Sequence, residues 1–171
     1  MQKAVDLFEN ALNWLQESYF AYRFFCERDI VWTLQTHLQQ QIHRHDLPFQ
    51  VYNDYPMLPG QHRHLSADLV ILKATNEVEV AVEFKYEPSH ERPDIQKYKL
   101  PVVDWGKTGV EKDICRIHEF VEMGKAKVAY SIFIDEGGYF RKRQPHNKSK
   151  WKEWNKGVWI LEARAALDLA S

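Results

Sequence analysis

At 171 residues, 44% of them hydrophobic and 27% charged, the chain is long enough to remove roughly 70% of its unfolded surface from water and too apolar to stay disordered. Its net charge of −1 singles out no partner, and its two cysteines, Cys26 and Cys115, form no CxxC pair, which excludes a zinc ribbon or a thiol-redox motif. Met1 to Asp6 lack the basic start and apolar run of a signal peptide, and no stretch approaches the ~20 apolar residues of a membrane span. A cytoplasmic protein with no membrane association is the expectation, in keeping with sparse cysteine use.

Residues 4–22 repeat apolar groups at helical spacing, with Phe8, Leu12, Leu15 and Tyr19 in one stripe and Glu17 opposite, on the solvent side. A second helix over 24–42 has the stripe Ile30, Val31, Leu34, Leu38 and Ile42. Glu27 falls near its centre and Asp29 points away. An acid aimed inward is costly unless paired or bound to a metal, whereas an acid in a first turn also favours the helix dipole. Both readings of Glu27 stand.

Pro48 closes that helix, and Phe49 to Tyr55 alternate as a first strand. Ala67 to Leu72 and Val78 to Tyr86 form the next two strands, around the turn Lys73 to Glu77. After a proline-punctuated stretch with a short helix over 94–99, a helix over 110–123 stops at Gly124. Lys127 to Asp135 is the most apolar strand, expected to be central and parallel to a neighbour across the helical crossover. Gly157 to Leu161 is a last strand and 162–170 a closing helix. The expected organisation is one α/β domain: a helical pair over 4–42, a sheet core over 48–135, a basic segment over 141–156, and a C-terminal strand and helix over 157–170.

The basic segment is the main charge asymmetry. Arg141, Lys142, Arg143, Lys148, Lys150, Lys152 and Lys156 stand against Glu153 alone, a local +6 that leaves −7 for the rest. With Trp151 and Trp154 interleaved, the segment suits a nucleic-acid backbone and stacked bases, or equally a solvated loop whose tryptophans enter the core. The pairs His62/His64 and His43/His45, each around an arginine, lack a third ligand at zinc spacing and read as polar loop residues.

The chemistry concentrates in the second and third strands. Val78, Val80, Val82 and Phe84 share one face, while Glu79, Ala81, Glu83 and Lys85 share the other, where a hairpin brings Asp68 alongside. Two carboxylates beside an ammonium are the parts of a magnesium-dependent phosphodiester-cleaving site. Asp68 and Glu83 supply metal ligands and the Phe84 carbonyl another oxygen. Lys85 orients or deprotonates water or stabilises the phosphorus, the base role being favoured where a nearby dication lowers its pKa.

Asp68, fourteen intervening residues and then Glu83-Phe84-Lys85 resembles the PD-(D/E)XK signature of the restriction-endonuclease-like nucleases. The element order from Phe24 to Asp135 is similar to that family's core, and Glu27 matches the glutamate that often completes its site from the preceding helix. Ala67 stands in place of the signature proline, and Gln96 is followed by Leu100 where the helicase-linked branch has tyrosine, so the branch is left open. The resemblance implies a three-layer core with a mixed central sheet flanked by helices. It implies a DNA endonuclease using Mg2+, with Mn2+ as substitute and no organic cofactor, leaving a 5′-phosphate and a 3′-hydroxyl; a domain this small is expected to need a second copy, as a homodimer, to cut both strands. Gln96 and Lys97 are expected at the cleft edge, with Arg141, Lys142, Arg143, Lys148 and Lys150 holding the strand. The rival readings are an inactive module of the same fold that binds nucleic acid or protein, and an unrelated α/β enzyme.

Overall fold

The computed structural model describes residues 2–58, 65–95 and 102–167. Helices α1 (Gln2–Ser18) and α2 (Glu27–Arg44) precede three strands, β1 (Phe49–Pro56), β2 (Ser66–Lys73) and β3 (Val78–Glu87). Helix α3 (Val110–Glu122) and strands β4 (Val128–Asp135), β5 (Ser149–Asn155) and β6 (Val158–Ala166) complete the chain.

The six strands form one sheet in the order β1-β2-β3-β4-β6-β5. Only β3 and β4 run parallel, with Val80 opposite Val128 and Lys85 opposite Phe133, and α3 is the crossover that joins them. All other neighbours are antiparallel. Strand β4 is buried along its whole length, as expected of a central strand covered on both faces. Alternation sorts the strand residues into two cores. Leu69, Ile71, Val80, Val82, Phe84 and Ile132 pack beneath α1 and α2. Val70, Leu72, Ala81, Ala129 and Phe133 pack beneath α3. The chain is an α/β protein with a mixed sheet between two helical layers.

Both first helices bury the expected stripes: Phe8, Leu12 and Leu15 of α1, and Ile30, Val31, Leu34 and Leu38 of α2. Asp29 is not merely outward-facing, because its carboxylate accepts the Phe25 amide at 2.7 Å and the Cys26 amide at 3.1 Å, capping α2. Helix α3 stops as expected at Gly124, whose φ of +66° is strained for other residues. Lys125 N–H returns to Phe120 O at 2.8 Å and Gly124 N–H to Val121 O at 2.9 Å.

Two expectations are corrected. The basic segment is not an open loop throughout, since Ser149–Asn155 is the edge strand β5. The closing helix is absent over 162–166, which prolong β6. Alanine-rich as that stretch is, its period is two: Ala163 and Ala165 are buried between exposed or half-buried neighbours, and the edge of β4 takes the ladder through Val128↔Ala166. Tertiary pairing overrides local helix propensity there. Of the short helix expected over 94–99, Asp94 and Ile95 lie in turns and the remainder is outside the described residues.

Candidate active site

The β2–β3 ladder reaches Leu69↔Val82, and beyond it the Asp68 carboxylate takes over the pairing: Oδ2 accepts the Phe84 amide at 2.6 Å. On β3, Glu83 and Lys85 continue the parity of Ala81, toward the α3 layer. Strand alternation thus places Asp68, Glu83 and Lys85 together.

Helix α2 supplies Glu27 from its first turn. Lys85 Nζ lies 3.2 Å from Glu27 Oε2 and donates to the Phe84 carbonyl at 2.9 Å. Glu27 therefore points at the sheet cluster, and the dipole of its helix end acts in addition. Helix α3 contributes two groups that sequence reasoning missed. Asp113 Oδ2 lies 3.0 Å from Lys85 Nζ, and Arg116 Nη1 lies 3.1 Å from Glu83 Oε2. Their signal was available: Asp113 falls between Val110 and Ile117 on the buried stripe of α3, the same criterion that singles out Glu27 on α2. Arg116, three residues on, shares that side of the helix.

Four carboxylates (Glu27, Asp68, Glu83, Asp113) face two cations (Lys85, Arg116), leaving two formal negative charges in a site where Glu83 and Asp113 are almost wholly buried. Burial first, and then the charge of Asp68, raises the Glu83 carboxyl well above the usual carboxylate range. Asp68 is raised by burial against the pull of the Phe84 amide. Burial pushes Glu27 up to about 7 although Lys85 opposes it. Burial alone would lower Lys85, but Glu27, Asp113 and Asp68 outweigh it and hold the ammonium protonated. Without a dication beside it, Lys85 is held as a positive charge.

A divalent cation fits this donor set on two observations. The cluster sets four carboxylates against two cations, and Glu83 Oε1 and Asp113 Oδ1 are buried without a hydrogen-bond partner. Hard carboxylate oxygens suit Mg2+. Asp68 and Glu83 are the residues that would hold it, with Glu27 and the Phe84 carbonyl within the same cluster but engaged by Lys85. Among the described residues no three His, Cys, Asp or Glu side chains already surround a common point.

A second polar knot fixes the segment that carries Glu27. Arg92 Nη1 donates to Phe24 O at 2.7 Å and to Glu136 Oε2 at 3.0 Å, and the hydroxyl of Tyr86, the residue after Lys85, donates to Glu136. At the ends of the parallel pair, Glu87 accepts Val103 N–H at 2.8 Å and Asp135 accepts Phe140 N–H at 2.7 Å, so these buried acids hold loops.

The basic segment divides. Trp154 is buried against Tyr19, so it does not stack on bases. Trp151 lies parallel to Trp105 at 5.9 Å, inside a ring stack with Phe133 and under the core of α3. Arg141, Lys142, Arg143, Lys148 and Lys150 are exposed, although Arg143 sits 4.8 Å over the Phe140 ring and Arg141 5.4 Å over Trp159. Lys152 pairs with Glu162. Gln96, Lys97 and the pair His62/His64 lie outside the described residues. No helix among the described residues is long and apolar enough to cross a membrane. Family models, curated proteins and solved structures were all compared with the chain, and none matches.

Proposed function

We propose that the chain is a metal-dependent nuclease, a DNA endonuclease acting with Mg2+ or Mn2+, in the cytoplasm and as a homodimer. The observation that carries this reading is the convergence of Asp68, Glu83, Lys85 and Glu27, from three separate elements, into one cluster with excess negative charge. The restriction-endonuclease-like fold belongs to the same reading and draws support from the two helices, three strands, helix and strand in that order. Bound there, a dication would supply charge neutralisation and an acidified water. Asp68 and Glu83 hold it. Lys85, kept charged by its acidic neighbours, stabilises the negative charge that builds on phosphorus or orients the attacking water. Asp113 and Arg116 act through others: Asp113 places the ammonium, and Arg116 pairs with Glu83 and favours its charged form against burial.

Plasmid nicking tests the assignment. Wild type relaxes supercoiled DNA with Mg2+ or Mn2+, EDTA abolishes this, and Lys85→Ala falls by a factor on the order of 100 or more. Equal trace activity in wild type and Lys85→Ala sinks it.

One observation favours a second reading, an inactive module of this fold that binds nucleic acid or protein. The cluster satisfies part of its own charge, Lys85 with Glu27 and Asp113 and Arg116 with Glu83, as a site without a metal would. That reading expects salt-dependent DNA binding with no cleavage and no change on Asp68→Asn.

A further inference from the structure

Tyr86 follows Lys85 on β3 and so points to the opposite face of the sheet, where a second concavity opens beside the acid cluster. It is a pocket of about 270 Å3 beneath the connection between α1 and α2. Its walls include Tyr19, Phe20, Tyr22 and Phe24, with Arg23, Arg92, Asp94 and Glu136 supplying the polar part.

Three features define what fits. The aromatic surface is available: Phe20 is 66% and Tyr22 38% exposed, and Tyr22 lies nearly parallel to Phe24 at 5.6 Å. The wall offers stacking surface rather than free hydrogen-bonding groups, because the buried Tyr19 hydroxyl lies against that of Tyr86. The nearby Tyr86 hydroxyl is already taken by Glu136 and Arg92. Finally, the charged groups inside are paired with one another. Arg92 is committed to Asp94 and Glu136, which excludes a strongly charged occupant from the interior. Arg23, with a side chain 79% exposed and only a 3.9 Å contact to Asp94, remains at the mouth for an anion. A flat, uncharged ring held by stacking and carried on an anionic chain meets all three.

The pocket and the acid cluster are also mechanically one unit. Phe24 O is held by Arg92 Nη1 at 2.7 Å, and three residues later Glu27 reaches Lys85.

We infer that this pocket receives a single unstacked nucleobase from a nucleic-acid strand whose backbone passes Arg23 toward the Asp68–Glu83–Lys85 cluster. The inference rests on the nuclease reading for the direction of the strand, and it names the substrate class: a single-stranded, frayed or base-extruded nucleic acid. Arg23 takes a phosphate, and Tyr22 and Phe20 stack on the ring.

The test is a fluorescence titration of the full chain, in EDTA, with short single-stranded DNA carrying one 2-aminopurine. Wild type and Asp68→Asn are expected to quench the probe saturably and alike. Tyr22→Ala weakens binding on the order of 10-fold and loses the quenching, whereas Tyr22→Phe restores both. Phe20→Ala, at an exposed site, repeats the loss should Tyr22→Ala unfold. Absence of binding, or binding without quenching that Tyr22→Ala and Phe20→Ala leave unchanged, overturns the inference even where plasmid is nicked. Tyr22-dependent quenching without any nicking upholds the pocket and removes the nuclease reading instead.

Discussion

The pairing of Arg116 with Glu83 allows a quantitative test of how the acid cluster is held. Arg116→Met keeps most of the aliphatic stem and removes the guanidinium, leaving a carboxylate that is 1% exposed with its Oε2 unpartnered. At 3.1 Å the Coulomb attraction is ~5 kcal/mol with an effective dielectric of about 20. Breaking one side of a buried pair typically costs about 3–5 kcal/mol. Arg116 is 19% exposed, so water recovers part of its solvation and the lower figure, ~3 kcal/mol, is expected. For a chain of this size that corresponds to a fall of roughly 6–12 °C in Tm. The loss grows with pH, because the orphaned carboxyl escapes part of the penalty by taking a proton at the acid end. Thermal unfolding at pH 5 and pH 8, run in a cycle with Glu83→Gln, isolates the pair. In the Glu83→Gln background the Arg116→Met cost drops below ~1 kcal/mol. An equal cost in both backgrounds, or a loss independent of pH, refutes the reasoning.

Two further outcomes follow from the same geometry. Burial pushes the Glu27 carboxyl from 4.5 to about 7, so folding favours its neutral form. That contribution is full below pH 4.5 and is lost as pH rises to about 7, and Glu27→Gln flattens this part of the apo-protein's Tm-pH curve. An unchanged slope in the variant shows that the half-buried setting of Glu27 does not raise its carboxyl. Tyr86→Phe removes a hydroxyl bonded to Glu136 and Arg92, a charge-assisted contact of ~2 kcal/mol, and lowers Tm by roughly 4–8 °C. Because the same knot holds Phe24, the variant also slows plasmid nicking; a Tm within 1 °C of wild type, measured by calorimetry, rules out the knot as an anchor.

Much of the molecule was legible from periodicity. The stripes of α1 and α2, the alternation in β3 and the apolar run of β4 each mark burial locally, since a helix repeats every 3.6 residues and a strand every two. Glu83 and Lys85 were placed on one face by that rule, Asp68 beside them by the expected hairpin, and Glu27 stood out as an acid within an apolar stripe. The weak points were segments in which two rules compete. Glu162 to Ala166 carry helix-favouring alanines in a period-two pattern, and the free edge of β4 decides between them. Ser149 to Asn155 look like a charged loop until β6 offers them a ladder. Trp151 and Trp154 read equally well as base-stacking or core residues. The strand reading separates their roles: three residues apart on β5, they fall on opposite faces by alternation, Trp154 to the α1 side and Trp151 to the α3 side.

The amino-acid order therefore determined which residues are inward-facing and which acids are out of place among apolar neighbours, because these are properties of one element at a time. It did not determine which misplaced groups meet. That Lys85 is shared by Glu27 and Asp113, that Arg116 covers Glu83, and that Tyr86 ties Phe24 to Glu136 depend on three helices docking on two faces of one sheet. The parallel pairing of β3 with β4 sets where α3 crosses, and with it the second half of the acid cluster. Long-range contact is a property of the assembled layers, and no local repeat in the chain encodes it.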